Sequence, residues 1–254
     1  MPDTLRFPHL EGVARLAHAV TERRGGASRG PYASWNLGAS VGDDPAALEE
    51  NARLLREAIG ARARVRFPRQ VHGAAVLDAD ADAPAGARLG EGDAVTVSEP
   101  GRPVGVLGAD CPGVIVVDPV RHALALAHSG WRGTVAGVVP AAIAALVARH
   151  GSRPVDLLVG IGPGISAARY EVGPEVAAAV RAAGLARDGV LLAGRGDRAH
   201  LDLEAAIRAQ VAGAGVPDAS VRSLGLCTYG ERERFFSHRR DGAVTGRHAL
   251  VATW

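Results

Sequence analysis

DAVTVSEPGRPVGVLGADCPGVIVVDPVRHALALAHSGWRGTVAGVVPAAIAALVARH, residues 93–150, is the stretch on which the fold turns. Four short apolar runs, Asp93 to Val97, Pro103 to Leu107, Gly113 to Val117 and Ala123 to Ala127, are each bounded by turn residues, as buried strands are. The run from Thr134 to His150 is long enough for a helix, with Thr134 as its cap and Pro140 predicting a kink. Upstream, Val13 to Val20 alternates as a strand, and TERRGGASRGPYASWNLG after it carries too much glycine and serine for regular structure. Asp44 and Pro45 supply an N-cap and first-turn proline for a helix whose apolar positions are Leu48, Leu54, Leu55 and Ile59, with Gly60 ending it. Ala79 to Gly92, rich in Ala, Asp and Gly, reads as a surface loop. Downstream, VDLLVGIG, VRSLGL and HALVATW read as strands, while EVAAAVRAAG and LDLEAAIRAQVAGAG read as helices stopped by glycine. Strands dominate the centre and helices are unevenly placed. The expected class is α+β, one domain over residues 1–254 built as a mixed β-sheet sandwich flanked by helices.

The 254 residues are 47% apolar and 22% charged, with no uncharged apolar run of membrane-spanning length, which points to a soluble globular chain. MPDTLRFPHLEG lacks the apolar core of a signal peptide, so the expected compartment is the cytoplasm. All 29 basic residues are arginine; the absence of lysine excludes Schiff-base catalysis and the P-loop lysine. A net charge of +2 is too small to suggest nucleic acid. In a reducing compartment Cys111 and Cys227 are buried thiols, metal ligands or nucleophiles.

Three segments place a metal-capable side chain at the edge of an apolar run: RQVHGAAVL with His72, VGVLGADCPGVIVV with Cys111 and HALALAHSGWRG with His128. They stand 39 and 17 residues apart, too far for a local zinc knuckle, so any site must be assembled from strand ends. Two imidazoles and a thiolate would leave a fourth zinc position open, as in catalytic rather than structural sites. Taken singly, a histidine or cysteine beside a strand is usually just packed and hydrogen-bonded, and spacing alone shows no site. GWRGT turns from strand into helix and brings backbone N–H groups and Arg132 together, as an anion pocket or as a tight turn. Arg232, Arg234, Arg239, Arg240 and Arg247 surround Phe235 and Phe236, as a solvated basic face or as a phosphate site.

Taken in order, TERRGGASRGPYASWNLG, RQVHG, GADC, AHSGWRGTVAG, IGPGISAARYEVGPEV, CTYGERERFFSHRRDG and TGRHA resemble the YfiH/YlmD-type laccase-domain family, also called multicopper polyphenol oxidase-like. The resemblance spans nearly the whole chain. It implies a zinc-binding and catalytic centre at His72, Cys111 and His128, and zinc-dependent phosphorolysis of purine nucleosides such as inosine, adenosine or methylthioadenosine. Adenosine deamination is a second implied activity, since an open zinc position suits activation of water. The HxE and PCxxC signature of the usual zinc deaminases is absent, which leaves Asp110 or Asp93 to move protons. Arg23, Arg132 and Arg240, with Asn36, are the candidates for holding substrate and phosphate.

The chain departs from the family pattern beside the triad. Gly108 replaces a threonine, Pro112 and Gly113 replace a Leu-Pro step, Gly164 and Ser166 alter the glycine-rich loop, and His238 stands where tyrosine is usual. Three other readings stay open: an amidohydrolase that edits peptidoglycan precursors, a copper-dependent polyphenol oxidase with copper in the same site, and a non-catalytic zinc-stabilised protein. The absence of any HxH pair weighs against the coupled copper centre of a laccase. The expected partners are a small purine nucleoside and phosphate, with neither nucleic acid nor membrane.

Overall fold

The computed structural model of the chain describes residues 2–81, 89–187 and 189–254. Residues 82–88, most of the expected surface loop, fall outside the described residues, as does residue 188. The four central runs are strands: Ala94–Val97, Val104–Gly108, Gly113–Asp118 and Ala123–His128. Three of them belong to a six-stranded sheet in the order Val221–Ser223, Leu158–Ile161, Gly113–Asp118, Ala123–His128, Ala94–Val97, Val76–Asp78. Its outermost pairs are parallel and its inner ones antiparallel. The fourth, Val104–Gly108, crosses to an antiparallel four-stranded sheet with Thr4–Leu5, Ala17–Thr21 and His248–Thr253.

The central strands are apolar without alternation because both faces are covered. Val114, Val116, Ala123, Ala125 and Ala127 meet the helices Val138–His150 and Leu203–Gly213 through Val139, Ala142, Ile143, Leu146, Ile207 and Val211. Ile115, Val117, Leu124 and Leu126 point the other way, onto Val104, Val106, Leu250 and Ala252 of the second sheet. That sheet turns Ala19, Ala249 and Val251 outward beneath Leu55 of the helix Pro45–Ala58 and Ile59, its C-cap. The result is the expected sandwich with helices on both outer faces. A smaller sheet of Leu191–Ala193, Ala199–Leu201 and Glu171–Val172 packs with the helix Pro174–Ala182 around its own apolar cluster.

Local signals hold where their chemistry is short-range. Asp44 caps its helix by accepting from the Ala46 N–H, and Asp202 does the same from Ala205. The strands expected over VDLLVGIG and VRSLGL shorten to Leu158–Ile161 and Val221–Ser223, and two other boundaries differ more. The strand expected from Val13 begins at Ala17, because Arg15 takes a φ of 66° within successive turns. The helix expected over Thr134 to His150 is two helices, Trp131–Val135 and Val138–His150, separated by Gly137 at φ 81°. Pro140 therefore sits in a first turn, where its missing N–H costs nothing, and makes no kink. Thr134 lies inside the first helix and bonds back to the Gly130 carbonyl at 2.9 Å instead of capping.

Candidate metal centre

Cys111 occupies the short connection in which the chain leaves Val104–Gly108 in one sheet and enters Gly113–Asp118 in the other. Gly113 pairs with His128, the last residue of its strand, so the sheet register brings His128 beside Cys111. The Ser129 N–H donates to the Pro112 carbonyl at 2.9 Å and fixes that end. His72 arrives on a loop. Its neighbour Gln70 plugs that loop onto the second sheet, its amide donating to the Leu107 carbonyl at 2.9 Å and accepting the Leu107 N–H at 2.8 Å. His72 itself has a φ of 62°, an uncommon conformation for a non-glycine residue.

Asp93 ties these parts together. It is fully buried, and its carboxylate accepts the backbone N–H groups of Val71 (3.1 Å), His72 (2.9 Å) and Gly73 (2.7 Å) while bonding His128 Nδ1 at 2.9 Å. Burial would raise its pKa, but His128 and the Gly73 and Val71 N–H groups hold it below the usual carboxylate range. One carboxylate thus sets the His72 loop, orients the His128 ring and leaves its Nε2 toward Cys111. Asp93 is not among the cavity-lining residues, and its carboxylate is engaged by the His72 loop and the His128 ring.

The ligand atoms of His72, Cys111 and His128 lie within 4.8 Å of one another, with the two rings 4.9 Å apart at 75°. Exposure falls from His72, which is exposed, through Cys111 to buried His128. Burial would push the Cys111 thiol up and the His128 imidazole down. Their mutual attraction, reinforced by His72 on the thiol and by Asp93 on the imidazole, overcomes this and moves each the other way, toward a thiolate and an imidazolium. Loss of the shared protons would leave two imidazole nitrogens and a thiolate sulfur as donors for a cation. Gly130 makes room for it, because a Cβ there would fall 2.6 Å from Cys111 Sγ and 3.3 Å from His72 Cδ2. Two imidazoles, a thiolate and a carboxylate behind one imidazole suit a tetrahedral metal with one position left open.

The triad opens into a cavity of about 640 Å³, within the range of small-molecule sites. Asp110, Trp131, Arg132, Tyr170, Arg239 and Arg247 are among its lining residues. Asp110, at φ 149°, accepts Thr228 Oγ1 at 2.7 Å and the Arg239 N–H at 2.7 Å, which anchors the C-terminal arginine segment to the triad. Burial, followed by the nearby Cys111, pushes Tyr170 up to about 12, so its phenol stays a neutral donor. Of the departures noted in the sequence, Gly108 and His238 line the cavity. A Cβ at Gly108 would come 2.6 Å from the Cys111 carbonyl and 3.1 Å from His248 Nε2, so His248 fills the space a side chain there would need.

The arginines sort differently from expectation. Arg132 faces the cavity, stacked on Trp131 at 4.4 Å. Arg23 does not: its guanidinium donates to the carbonyls of Ala33 and Arg232 and covers Phe236. Arg240 is spent on the Thr228, Tyr229 and Phe235 carbonyls and on Asp241. Asn36 is buried and serves the backbone, its Oδ1 accepting from Gly38 (2.9 Å) and Arg247 (2.8 Å) and its amide donating to Asp43. Arg239 and Arg247 line the cavity with Arg132, whereas Arg23 and Arg240 do not. The Asn-Leu-Gly spacing of an Asx-turn was the sequence signal for Asn36's structural use.

Comparison with known proteins shows the family and the fold. The model of the multi-copper polyphenol oxidoreductase laccase family matches residues 17–254. A purine nucleoside phosphorylase of Deinococcus radiodurans is 40% identical over 245 residues, covering 96% of this chain and 89% of that protein. The crystal structure of YfiH from Bacillus licheniformis superposes with a TM-score of 0.93 at 29% identity, covering 100% of this chain and 97% of that one. YlmD from Geobacillus stearothermophilus gives 0.91 at 31% identity, covering 98% and 95%. With fold, motif order and sequence in agreement, the chain belongs to the laccase-domain family that includes YfiH and YlmD.

Proposed function

We propose that this chain is a purine nucleoside phosphorylase working with one zinc ion held by His72, Cys111 and His128. The observation that carries the reading is the conjunction, in one cavity, of a cation-accepting His-Cys-His cluster and guanidinium groups free to meet an anion. Among the described residues that triad is the single group of three or more candidate ligands, which favours one metal over the several of a laccase-type copper centre. Relatives across most of the chain carry the name purine nucleoside phosphorylase.

When bound, zinc supplies a fixed positive charge and an open coordination position at the floor of the cavity. The chain's own residues supply the rest. Arg132, Arg239 and Arg247 offset the charge of phosphate, whose oxygen attacks C1′ of the ribose as the bond to the base breaks. Tyr170, kept neutral, offers a proton-bearing hydroxyl at the cavity wall. Asp110 holds Arg239 in register, and Asp93 holds both histidines. The three-ligand donor set leaves a position open, and this favours hydrolytic deamination of adenosine as a second activity of the same cavity. Both thiols are free, in keeping with a reducing compartment such as the cytoplasm.

The test is a panel of inosine, adenosine and methylthioadenosine with and without phosphate. The reading expects free base and ribose-1-phosphate, or its methylthio analogue, only when phosphate is present. Base release independent of phosphate would replace it with a hydrolase.

A further inference from the structure

Three of the cavity's guanidinium groups have no acidic partner in ion-pair contact among the described residues: Arg132, Arg239 and Arg247. Arg69, also in the lining, is paired with Glu91. Arg132 and Arg239 are exposed and lie over the Trp131 and Tyr170 rings. Arg239 also spends Nη1 on the Glu171 carbonyl at 2.9 Å. Arg247 is the more enclosed of the three and the more rigidly built.

Its backbone N–H is held by Asn36 Oδ1, the same atom that holds Gly38. Its stem lies against Gly38, where a Cβ would fall 2.7 Å from Arg247 Cγ. Its Nη1 donates to the carbonyls of Thr245 (2.8 Å) and Gly246 (2.9 Å). The Nε and Nη2 donors have no partner among the described residues, so one edge of the fork is aligned by the protein and left unused. Arginine presents two parallel donors on such an edge, which matches a tetrahedral oxyanion and not a single carbonyl. A half-buried guanidinium with no carboxylate in ion-pair contact is costly, and an anion meeting its free edge relieves part of that cost. Burial, the largest influence, lowers the Arg247 pKa, and Cys111, Asp110 and Tyr32 oppose it without an ion-pair contact; Arg247 shares the cavity lining with Cys111 and Asp110.

We propose that the Nε and Nη2 edge of Arg247 is the binding site for the phosphate co-substrate, with Arg239 and Arg132 attracting the anion without fixing it. Asn36 and Gly38 are then positioning residues for that fork. The proposal rests on the phosphorylase reading, and its test separates the two. Phosphate chemistry could also reach Arg247 as the 5′-phosphate of a nucleotide, so the test includes inosine 5′-monophosphate.

The zinc-loaded protein and its Arg247→Met and Arg247→Lys variants are compared in two assays. In thermal melts without nucleoside, inorganic phosphate should raise the wild-type midpoint and leave that of Arg247→Met unmoved. In steady-state assays, Arg247→Met should raise KM for phosphate about 10–100-fold, the worth of a charge-assisted two-point contact, with KM for inosine nearly unchanged. Arg247→Lys keeps the charge without the fork and should fall between the two; it decides the matter alone should Arg247→Met fail to fold. An unchanged phosphate KM in a folded variant, with phosphate dependence intact in the wild type, overturns the inference and spares the phosphorylase reading. A wild type indifferent to phosphate in both assays overturns both. Preferential use of inosine 5′-monophosphate, with Arg247→Met weakening the nucleotide and not inorganic phosphate, overturns the assignment in favour of a nucleotide site.

Discussion

Replacing Asp93 by asparagine preserves its size and removes the charge on which the metal cluster is hung. Oδ1 takes the His72 N–H and His128 Nδ1, while Oδ2 takes the N–H groups of Val71 and Gly73. An asparagine has one acceptor oxygen, so whichever way it sits an NH2 group faces two former donors. Each such lost contact costs about 1–3 kcal/mol when buried. Relaxation of the exposed His72 loop recovers part, leaving a net loss of roughly 2–4 kcal/mol, or a melting point lower by roughly 4–8 °C for a chain of this size. The sandwich core lies beneath this loop and stays intact, so the variant folds. Zinc affinity, measured by competition with a chromophoric chelator, should fall about 10–100-fold, as for loss of a carboxylate behind a metal-bound histidine. Unchanged zinc affinity in Asp93→Asn would refute the assignment of Asp93 as the organiser of the triad.

Gly130→Ala places a methyl group 2.6 Å from Cys111 Sγ and should abolish stoichiometric zinc binding with the circular dichroism spectrum unchanged; Gly12→Ala, with nothing within 4 Å, is the neutral control. Chelation should lower the melting point without unfolding the chain, because the metal joins segments at the rim of a core that is closed without it; complete unfolding would make the site structural. Acid should destabilise the protein through two histidines held neutral. Burial, then Arg6, lowers His18 to about 4, and burial, then Arg247, lowers His248 to about 3. Both folded values lie below the unfolded value near 6.5, so the unfolded chain binds more protons in that window. Stability present above about pH 6.5 is then lost as pH falls toward 4 and 3, by at most about 5 kcal/mol from His248. His18 also accepts the Phe7 N–H at 2.9 Å, which protonation forbids, so His18→Gln should flatten the upper part of that pH dependence in urea melts.

The parts of the fold legible in the sequence are those fixed by local chemistry. Buried runs such as Gly113 to Val117 and the Asp44-Pro45 helix start need no partner to be recognised. The break at Gly137 was less legible, because Pro140 drew the eye to a kink while the glycine three residues earlier took the left-handed conformation. At the site, His72, Cys111 and His128 stood out as ligand-type residues at the edges of apolar runs. That they meet depends on the pairing of Gly113 with His128 and on the crossing between sheets at Cys111, which no spacing encodes. Asp93 stood out only as a proton carrier; its holding role, and Gln70 altogether, were hidden because most of their partners are backbone groups of another segment. The arginines were the least legible: Arg240 and Arg239 are neighbours of identical type, and only the carbonyls packed around Arg240 remove it from the cavity.

The most direct measurement is the phosphate dependence of inosine cleavage in zinc-loaded wild type and Cys111→Ser. The account predicts that the wild type yields hypoxanthine and ribose-1-phosphate in proportion to phosphate occupancy, and that the variant loses zinc and about a hundredfold or more in kcat, the scale of losing a principal charge-stabilising group. Hypoxanthine released at the same rate without phosphate, or undiminished turnover by Cys111→Ser, would contradict it.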